Sequence, residues 1–481
     1  MTVSRRTLVG AAVGLYPALR SGALRAAEEM ADVIIVGAGF SGLNAAMVLA
    51  GEGARVIVLE AGARVGGRAY TGDHIYGQPE LGASQIGPYY ARVRNVCQQL
   101  GVEITQGSNI NAPYAYSVGG ELIAGKDWES HPRNDTEGWE RALMPQTLLG
   151  AYLSKYSPFK ELDDWLQPEA AQYDMPLGDW LRGHGASQGA LRLMNEGMVP
   201  FDLNGVSVLT LLQESVRGRL LSGVDDGSGD RFERASRLSA HVKGGTQRLP
   251  EAMAAHLGDA VRLNTPVAYI SSDKAGLTVQ TLDGRRFSAD FGISAVPFGS
   301  LRRVTIDRPL QGDQAKAVNR MPNANNSQVH FRIKGTPFWE QDGLDASTWS
   351  DGPLNMVRQP FGYDGSRDRL VAVITGQKAD RLDQLSEKDR GEFVLREIER
   401  IRPSTKGKIE VTGVHSWSQY PFVHGCRHSY RPGQGRFIHD MIKPHDRLHF
   451  AGEQTRRLEI GMESAMESGE RAAIEVLGRL G

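Results

Sequence analysis

Three features within residues 32–71 of this 481-residue chain predict an α/β fold built on a parallel sheet. The first is the run Val33-Ile34-Ile35-Val36, short, apolar and β-branched, the composition of a strand covered on both faces. The second is a G-x-G-x-x-G turn, Gly37-Ala38-Gly39-Phe40-Ser41-Gly42, leading into helix formers over 43–50. The third is another apolar run over 55–59 that ends in Glu60. Strand, turn, helix, strand and acid together predict a dinucleotide site. Gly37 permits the tight turn, Gly39 lets the backbone approach a pyrophosphate, and Gly42 allows the helix to pack closely on the strand. The phosphates belong at the helix N-terminus, and Glu60 can accept hydrogen bonds from a ribose hydroxyl. These residues alone leave NAD and FAD both open.

The next segment, Arg64-Val65-Gly66-Gly67-Arg68 with Thr71 after it, resembles the R-x-G-G-R-x-x-S/T segment of the flavin amine oxidase superfamily. The resemblance implies FAD as cofactor, with Ala61, Arg64, Gly67 and Arg68 among its contacts. Two glycines admit a close backbone approach, and a guanidinium offers planar, permanently charged donors to phosphate. The alternative is a glycine turn with solvated arginines.

Composition bounds the function. Lys+Arg number 55 against Asp+Glu 56, a balance that gives no reason to expect nucleic acid or an anionic membrane as partner. No apolar run reaches the roughly eighteen residues of a spanning helix, and the chain stops at Gly481 directly after its last helix, so a soluble protein without an anchoring tail is expected. At the start, Ser4-Arg5-Arg6-Thr7-Leu8-Val9 resembles a twin-arginine export signal, followed by an apolar stretch to Leu19 and small residues to Ala27. Residues 1–30 are accordingly read as a leader to the periplasm. A non-functional basic leader, or initiation at Met30, would leave the protein cytoplasmic. Cys97 and Cys426 are the two cysteines. They allow a single bridge in an exported protein, although Cys97 falls in a predicted amphipathic helix over 92–100 and reads as a small buried residue.

Cofactor-binding character recurs along the chain and implies an interleaved architecture. A Rossmann-like FAD-binding domain is expected over 31–104, 239–310 and 415–481, and an α+β substrate-binding domain over 105–238 and 311–414. The stretch from 104 to about 238 is polar and irregular, and reads as an inserted helical lobe carrying Trp128, Trp139, Trp165 and Trp180. Its acidic cluster at 225–230 reads as a solvated loop rather than a calcium site, because EF-hand spacing is missing. Residues 278–287 predict a hairpin turning at Asp283-Gly284. Within 261–267, Val267 matches the family valine whose backbone meets the adenine.

The C-terminal part extends the resemblance. Phe450-Ala451-Gly452-Glu453-Gln454-Thr455 resembles the family's F-A-G-E-x-T, which implies that Glu453 meets the ribityl hydroxyls beside Gly452. The helix opening at Gly461-Met462 is implied to aim its N-terminus at the flavin, with the Met462 backbone N–H as donor. Trp417 and, nine residues later, Cys426 resemble the monoamine oxidases, in which a cysteine at this spacing forms a thioether to the flavin. Covalent and non-covalent attachment are both retained. Ser84 and Gln85, within a segment over 80–88 that matches the same subfamily, are implied to contact cofactor and substrate respectively. No metal-ligand spacing occurs, and His424 and His428 read as loop residues or acid–base groups.

Two departures from the family fall on the substrate side. Where relatives place a lysine near flavin N5, alignment on Pro337-Phe338-Trp339 gives Gln328. Losing that cation weakens the case for rapid dioxygen reduction and favours another electron acceptor. The two caging aromatics of monoamine oxidases fall on Arg427 and Gly461. An arginine there suits a bulkier, carboxylate-bearing substrate, or else it is ion-paired with Glu459 or another acid. The reaction implied is FAD-dependent oxidation of an amine C–N bond to an imine that hydrolyses to a carbonyl, with electrons passing to dioxygen or a protein acceptor. A C–C desaturase or porphyrinogen-oxidase-like enzyme is the alternative, and an escort-type carrier the alternative of a different class. A homodimer is left open.

Overall fold

The computed structural model describes residues 29–106, 113–197, 200–222, 239–360 and 365–480. The twin-arginine segment and the acidic cluster at 225–230 lie outside the described residues. The predicted unit forms as β1 (Glu29–Val36), α1 (Phe40–Gly51) and β2 (Val56–Leu59). β1 and β2 run parallel, pairing Val33 with Val56 through to Val36 with Leu59. On the other flank of β1 lies β10 (Arg286–Ser294), also parallel. Val33, Ile34 and Ile35 have no exposed surface, which is why this strand shows a continuous apolar run instead of alternation.

The sheet is completed by β7 (Val261–Arg262), β8 (Val267–Ser272), β9 (Leu277–Thr281), β11 (Thr305–Ile306) and β19 (Leu448–Phe450). Its order is β11-β8-β9-β10-β1-β2-β7, with β19 alongside the second half of β10. The hairpin joining β9 to β10 turns at Gly284, φ +88°, as Asp283-Gly284 predicts. α9 (Gly461–Leu480; the helices between are named below) packs against α1. A Cβ on Gly469 would lie 2.1 Å from the Ser41 carbonyl oxygen, so glycine alone permits this approach. Asn44 Nδ2 donates to the Met466 carbonyl at 2.8 Å, and the Ser41 and Ser468 hydroxyls meet at 3.1 Å. These contacts join the last helix to the first turn of α1.

The second large sheet has the order β17-β13-β16-β15-β14-β4-β5. Its members are β4 (Tyr114–Val118), β5 (Glu121–Ile123), β13 (Asn326–Ile333), β14 (Ser347–Ser350), β15 (Met356–Arg358), β16 (Arg369–Thr375) and β17 (Ile409–Ser416). The segment read as a helical lobe therefore also supplies two strands, β4 and β5. Every residue of β4 is buried, so its Tyr-Ala-Tyr-Ser-Val sequence carries no alternation to reveal it. The lobe's helices are α3 (Leu148–Tyr156), α4 (Leu177–Gly183), α5 (Gln188–Glu196) and α6 (Val208–Ser222). Trp128, Trp165 and Trp180 pack in its core, while Trp139 is exposed. Two short ladders tie segments together: β3 (Ile104–Gln106) with β6 (Ala240–Val242), and β12 (Asn323–Ala324) with β18 (Arg427–His428). The remaining helices used below are α2 (Ala91–Gln99), α7 (Arg248–Leu257) and α8 (Glu387–Ile401). None of the described helices is long and apolar enough to cross a membrane.

Candidate active site

A cavity of about 970 Å³ runs from the glycine turn after β1 to the first turn of α9. The three glycines occupy the positions their roles demand. Gly37 has φ +103°, a left-handed conformation that excludes most side chains. A Cβ on Gly42 would fall 1.9 Å from the Gly37 carbonyl oxygen, whereas one on Gly39 would meet nothing within 4 Å. Gly42 is therefore set by packing, and Gly39 by free space on the cavity wall, where Phe40 and Ser41 join it. Glu60, Ala61 and Val267 line the same cavity. The Glu60 carboxylate accepts the backbone N–H groups of Ala38 and Gly62, each at 2.8 Å. Burial raises this carboxyl despite those bonds. An open glycine turn, a helix N-terminus and a buried acid fit the dinucleotide that the motif predicts.

Arg64 and Arg68 divide the work expected of them. Arg64 turns its guanidinium onto its own loop, donating to the carbonyls of Val65, Ala69 and Gly67, and its Nε to the Tyr420 hydroxyl. It also lies 3.9 Å from the Tyr70 ring centroid. Arg64 thus shapes the Gly66-Gly67 turn and ties it to Tyr420, while itself lining the cavity. Arg68, beside Gly67 on the cavity wall, donates to the Cys426 carbonyl at 2.9 Å and faces Glu453 at 3.4 Å. Glu453 also pairs with His428 at 2.8 Å. Burial pushes the Glu453 carboxyl up, but His428, Arg68 and Arg456 together hold it well below the usual carboxylate range. It is an anion flanked by two arginines and by His428, whose imidazole burial pushes down.

Gly452, Trp417, Cys426 and Met462 complete this wall. The Gly452 N–H donates to the Ser468 hydroxyl of α9 at 2.9 Å. Trp417 Nε1 donates to the Leu81 carbonyl at 2.7 Å, fixing the indole. Cys97 and Cys426 are both unbridged: one sits within α2, the other on the cavity wall. Burial pushes the Cys97 thiol up to about 11 and raises that of Cys426 as well.

Beyond Glu453 the cavity reaches Glu214 of α6. Here Arg427 pairs with Glu214 at 2.5 Å, and Arg456 reaches the same Glu214 oxygen at 3.0 Å. Glu214, not Glu459, is the acid that meets Arg427; Glu459 pairs instead with Arg217. Burial raises the Glu214 carboxyl, but Arg427 and Arg456 outweigh it and hold it low. Gly461 has φ +60°, and a Cβ there would lie 2.8 Å from the Tyr90 hydroxyl. The space left by the missing aromatic at 461 is thus filled by an aromatic from 371 positions earlier in the chain. Glu214, Arg456 and Tyr90 were not singled out from the sequence. Glu214 lies in α6 and Tyr90 just before α2, and no local motif marks either of them.

Three predicted residues lie elsewhere. Gln328, on β13, lines a second cavity of about 150 Å³ together with Ser84. Its Nε2 donates to the Leu81 carbonyl at 3.1 Å and to Asn326 Oδ1 at 3.2 Å, and its Oε1 meets His330 Nε2 at 3.0 Å. Gly82 borders both cavities, so the second adjoins the large one. Gln85 lines neither cavity.

Comparison with known proteins agrees with this arrangement. The family model described as flavin containing amine oxidoreductase matches residues 40–477. Flavin-containing amine oxidase A of Bos taurus is 27% identical over 95% of this chain and 86% of its own length. The human amine oxidase B is 27% identical over 94% and 86%. Among solved structures, a putrescine oxidase triple mutant from a redesign of cofactor binding superposes with a TM-score of 0.77 at 25% identity, covering 94% of this chain and all of the other. The cyclohexylamine oxidase of Brevibacterium oxydans superposes with a TM-score of 0.76 at 23% identity, covering 94% and 99%. Both the motifs that line the cavity and the match along nearly the whole chain therefore place this protein in the flavin-containing amine oxidoreductase family.

Proposed function

We propose that this enzyme oxidises the C–N bond of a small-molecule amine to an imine, which water converts to a carbonyl compound. The observation that carries this reading is one cavity joining a dinucleotide cradle to a chamber walled by Tyr90, Glu214, Arg427 and Gly461. FAD, when bound, supplies the acceptor for a hydride equivalent from the carbon next to nitrogen. The chain's own residues bind and orient. The glycine turn and the first turn of α1 would hold the diphosphate, and Arg68 with Glu453 the polar chain next to it. The N-terminal turn of α9, at Met462, directs a positive helix end into the cavity, where negative charge would be stabilised. Trp417, which has no exposed surface, helps to seal the wall. No side chain need remove a proton if the amine enters neutral. Activity should therefore rise with pH toward the pKa of the amine.

Anaerobic addition of an amine panel to the yellow protein, followed by air, tests the reading. Bleaching by at least one amine is expected, and a flavin that no amine bleaches would overturn it. Among the described residues no lysine lines the large cavity, which supports slow recovery of colour in air and faster recovery with an artificial electron acceptor. A thioether at Cys426 is supported by its spacing from Trp417 and by its free thiol on the cavity wall. Acid precipitation should then carry the colour down with the protein. The leader supports export to the periplasm in a folded, flavin-loaded state, which fractionation of the native host would test.

A further inference from the structure

The second cavity holds a guanidinium with no ion-pair or hydrogen-bond partner among the described residues. Arg358, the last residue of β15, lines it, and Arg369, the first of β16, stands on the neighbouring strand. Arg369 donates to the Gly77 carbonyl. Arg358 has neither a carboxylate nor a hydrogen-bond acceptor among the described residues, and its Nε is buried without a partner. Glu80 is the acid on the same wall, but its oxygens are taken by the Thr246 N–H at 2.6 Å and the Thr71 hydroxyl at 3.3 Å. Burial, and then nearby His415 and Arg369, push the His330 imidazole down to about 3, so it adds no charge but faces a positive surrounding. An uncompensated, partly buried guanidinium is costly, and a planar anion meeting its fork of N–H donors removes that cost.

The two cavity arginines differ in this respect. Arg427 is held by Glu214, whereas Arg358 is open. We infer that the second cavity binds a small carboxylate through Arg358. About 150 Å³ accommodates a carboxylate with a short carbon chain. The carboxylate can belong to an aminocarboxylate substrate, an assignment that rests on the amine-oxidation reading, or to a separate small acid, which does not depend on it.

The test uses the flavin-loaded enzyme. Acetate, propanoate and the neutral isostere propanamide are titrated by calorimetry and by changes in the flavin absorption spectrum. Saturable binding of propanoate but not propanamide is expected, weakened at least tenfold by Arg358→Gln and partly restored by Arg358→Lys. Equal binding of propanamide, or unchanged propanoate affinity in Arg358→Gln of unaltered melting temperature, would overturn the inference. If Arg358→Gln fails to fold, the propanoate–propanamide contrast in the unmodified enzyme decides. A KM at least tenfold lower for an aminocarboxylate than for the alkylamine of equal length, at similar kcat, assigns the carboxylate to the substrate. Equal KM values with propanoate still bound assign it to a separate acid. An enzyme that binds propanoate yet is reduced by no amine would sink the amine reading while leaving the carboxylate site standing.

Discussion

The end of the large cavity proposed to hold the cofactor and the end proposed to hold the substrate are built from different material. Around Gly37, Gly39 and Gly42 the wall is backbone, and its shape follows from where a Cβ can and cannot exist. Around Glu214, Arg427 and Arg456 the wall is long charged side chains brought together from α6, β18 and the segment before α9. Backbone constraints are local and leave motifs. Side-chain constellations are assembled by the fold, can be changed one residue at a time, and leave none. Glu453 stands where the halves meet, touching Arg68 on one side and Arg456 on the other.

The largest effect should come from breaking that junction. Glu453→Gln removes the anion that Arg68 and the buried His428 share, while Arg456 keeps Glu214; breaking a buried pair by removing one partner costs about 3 kcal/mol. Urea unfolding should show that loss together with release of flavin. Glu214→Gln should cost about 1 kcal/mol or less, because Arg427 is 47% exposed to the cavity and Arg456 keeps Glu453 nearby. Equal losses would erase the distinction between the halves. The pH dependence has a definite sign. The folded Glu453 carboxyl lies well below its usual value, so its contribution is full above the unfolded value of about 4.3 and is lost as pH falls through the lower folded value. The unmodified protein should therefore lose stability in acid more steeply than Glu453→Gln.

Within the cofactor half, two glycines three residues apart should respond in opposite ways. In Gly42→Ala the new methyl would meet the Gly37 carbonyl oxygen at 1.9 Å, and such overpacking costs about 1–3 kcal/mol. Gly39 has φ −78° and open space beside it, so Gly39→Ala should keep or slightly raise stability. Its methyl would project toward the cofactor, and flavin content should fall. Denaturation curves and the flavin-to-protein absorbance ratio separate the two. A Gly39→Ala protein with full flavin and weakened folding would contradict the assignment.

The same division explains what the sequence could disclose. The β1–α1–β2 unit, the Asp283-Gly284 hairpin and the motif residues that line the large cavity were legible because each is fixed by neighbours within a few positions. Ser84 lies on the second cavity: a motif states that a residue is near the cofactor, but not which way it faces. Glu214, Tyr90 and Arg358 depend on pairing across hundreds of residues or between neighbouring strands of the second sheet. β4 was lost to the same burial, since a strand covered on both sides has no polar face to give it period two.

The smallest effect concerns Tyr90 and Gly461, and it tests whether the substrate wall is rebuilt from a distance. Gly461→Ala should incur about 1 kcal/mol for a left-handed alanine, plus a clash, because the methyl would sit 2.8 Å from the Tyr90 hydroxyl oxygen. Tyr90→Phe deletes that oxygen, and the next ring atom, Cζ, lies 3.8 Å away, an ordinary contact. In the Tyr90→Phe background Gly461→Ala should then retain only its backbone cost. The two substitutions together should be less harmful than their sum by about 0.5–1 kcal/mol. Additive stabilities would mean that the tyrosine does not occupy the space above Gly461. The wall should register the same coupling: KM for a bulky amine should rise in Gly461→Ala and fall back in the double variant, because the hydroxyl and the methyl compete for one volume.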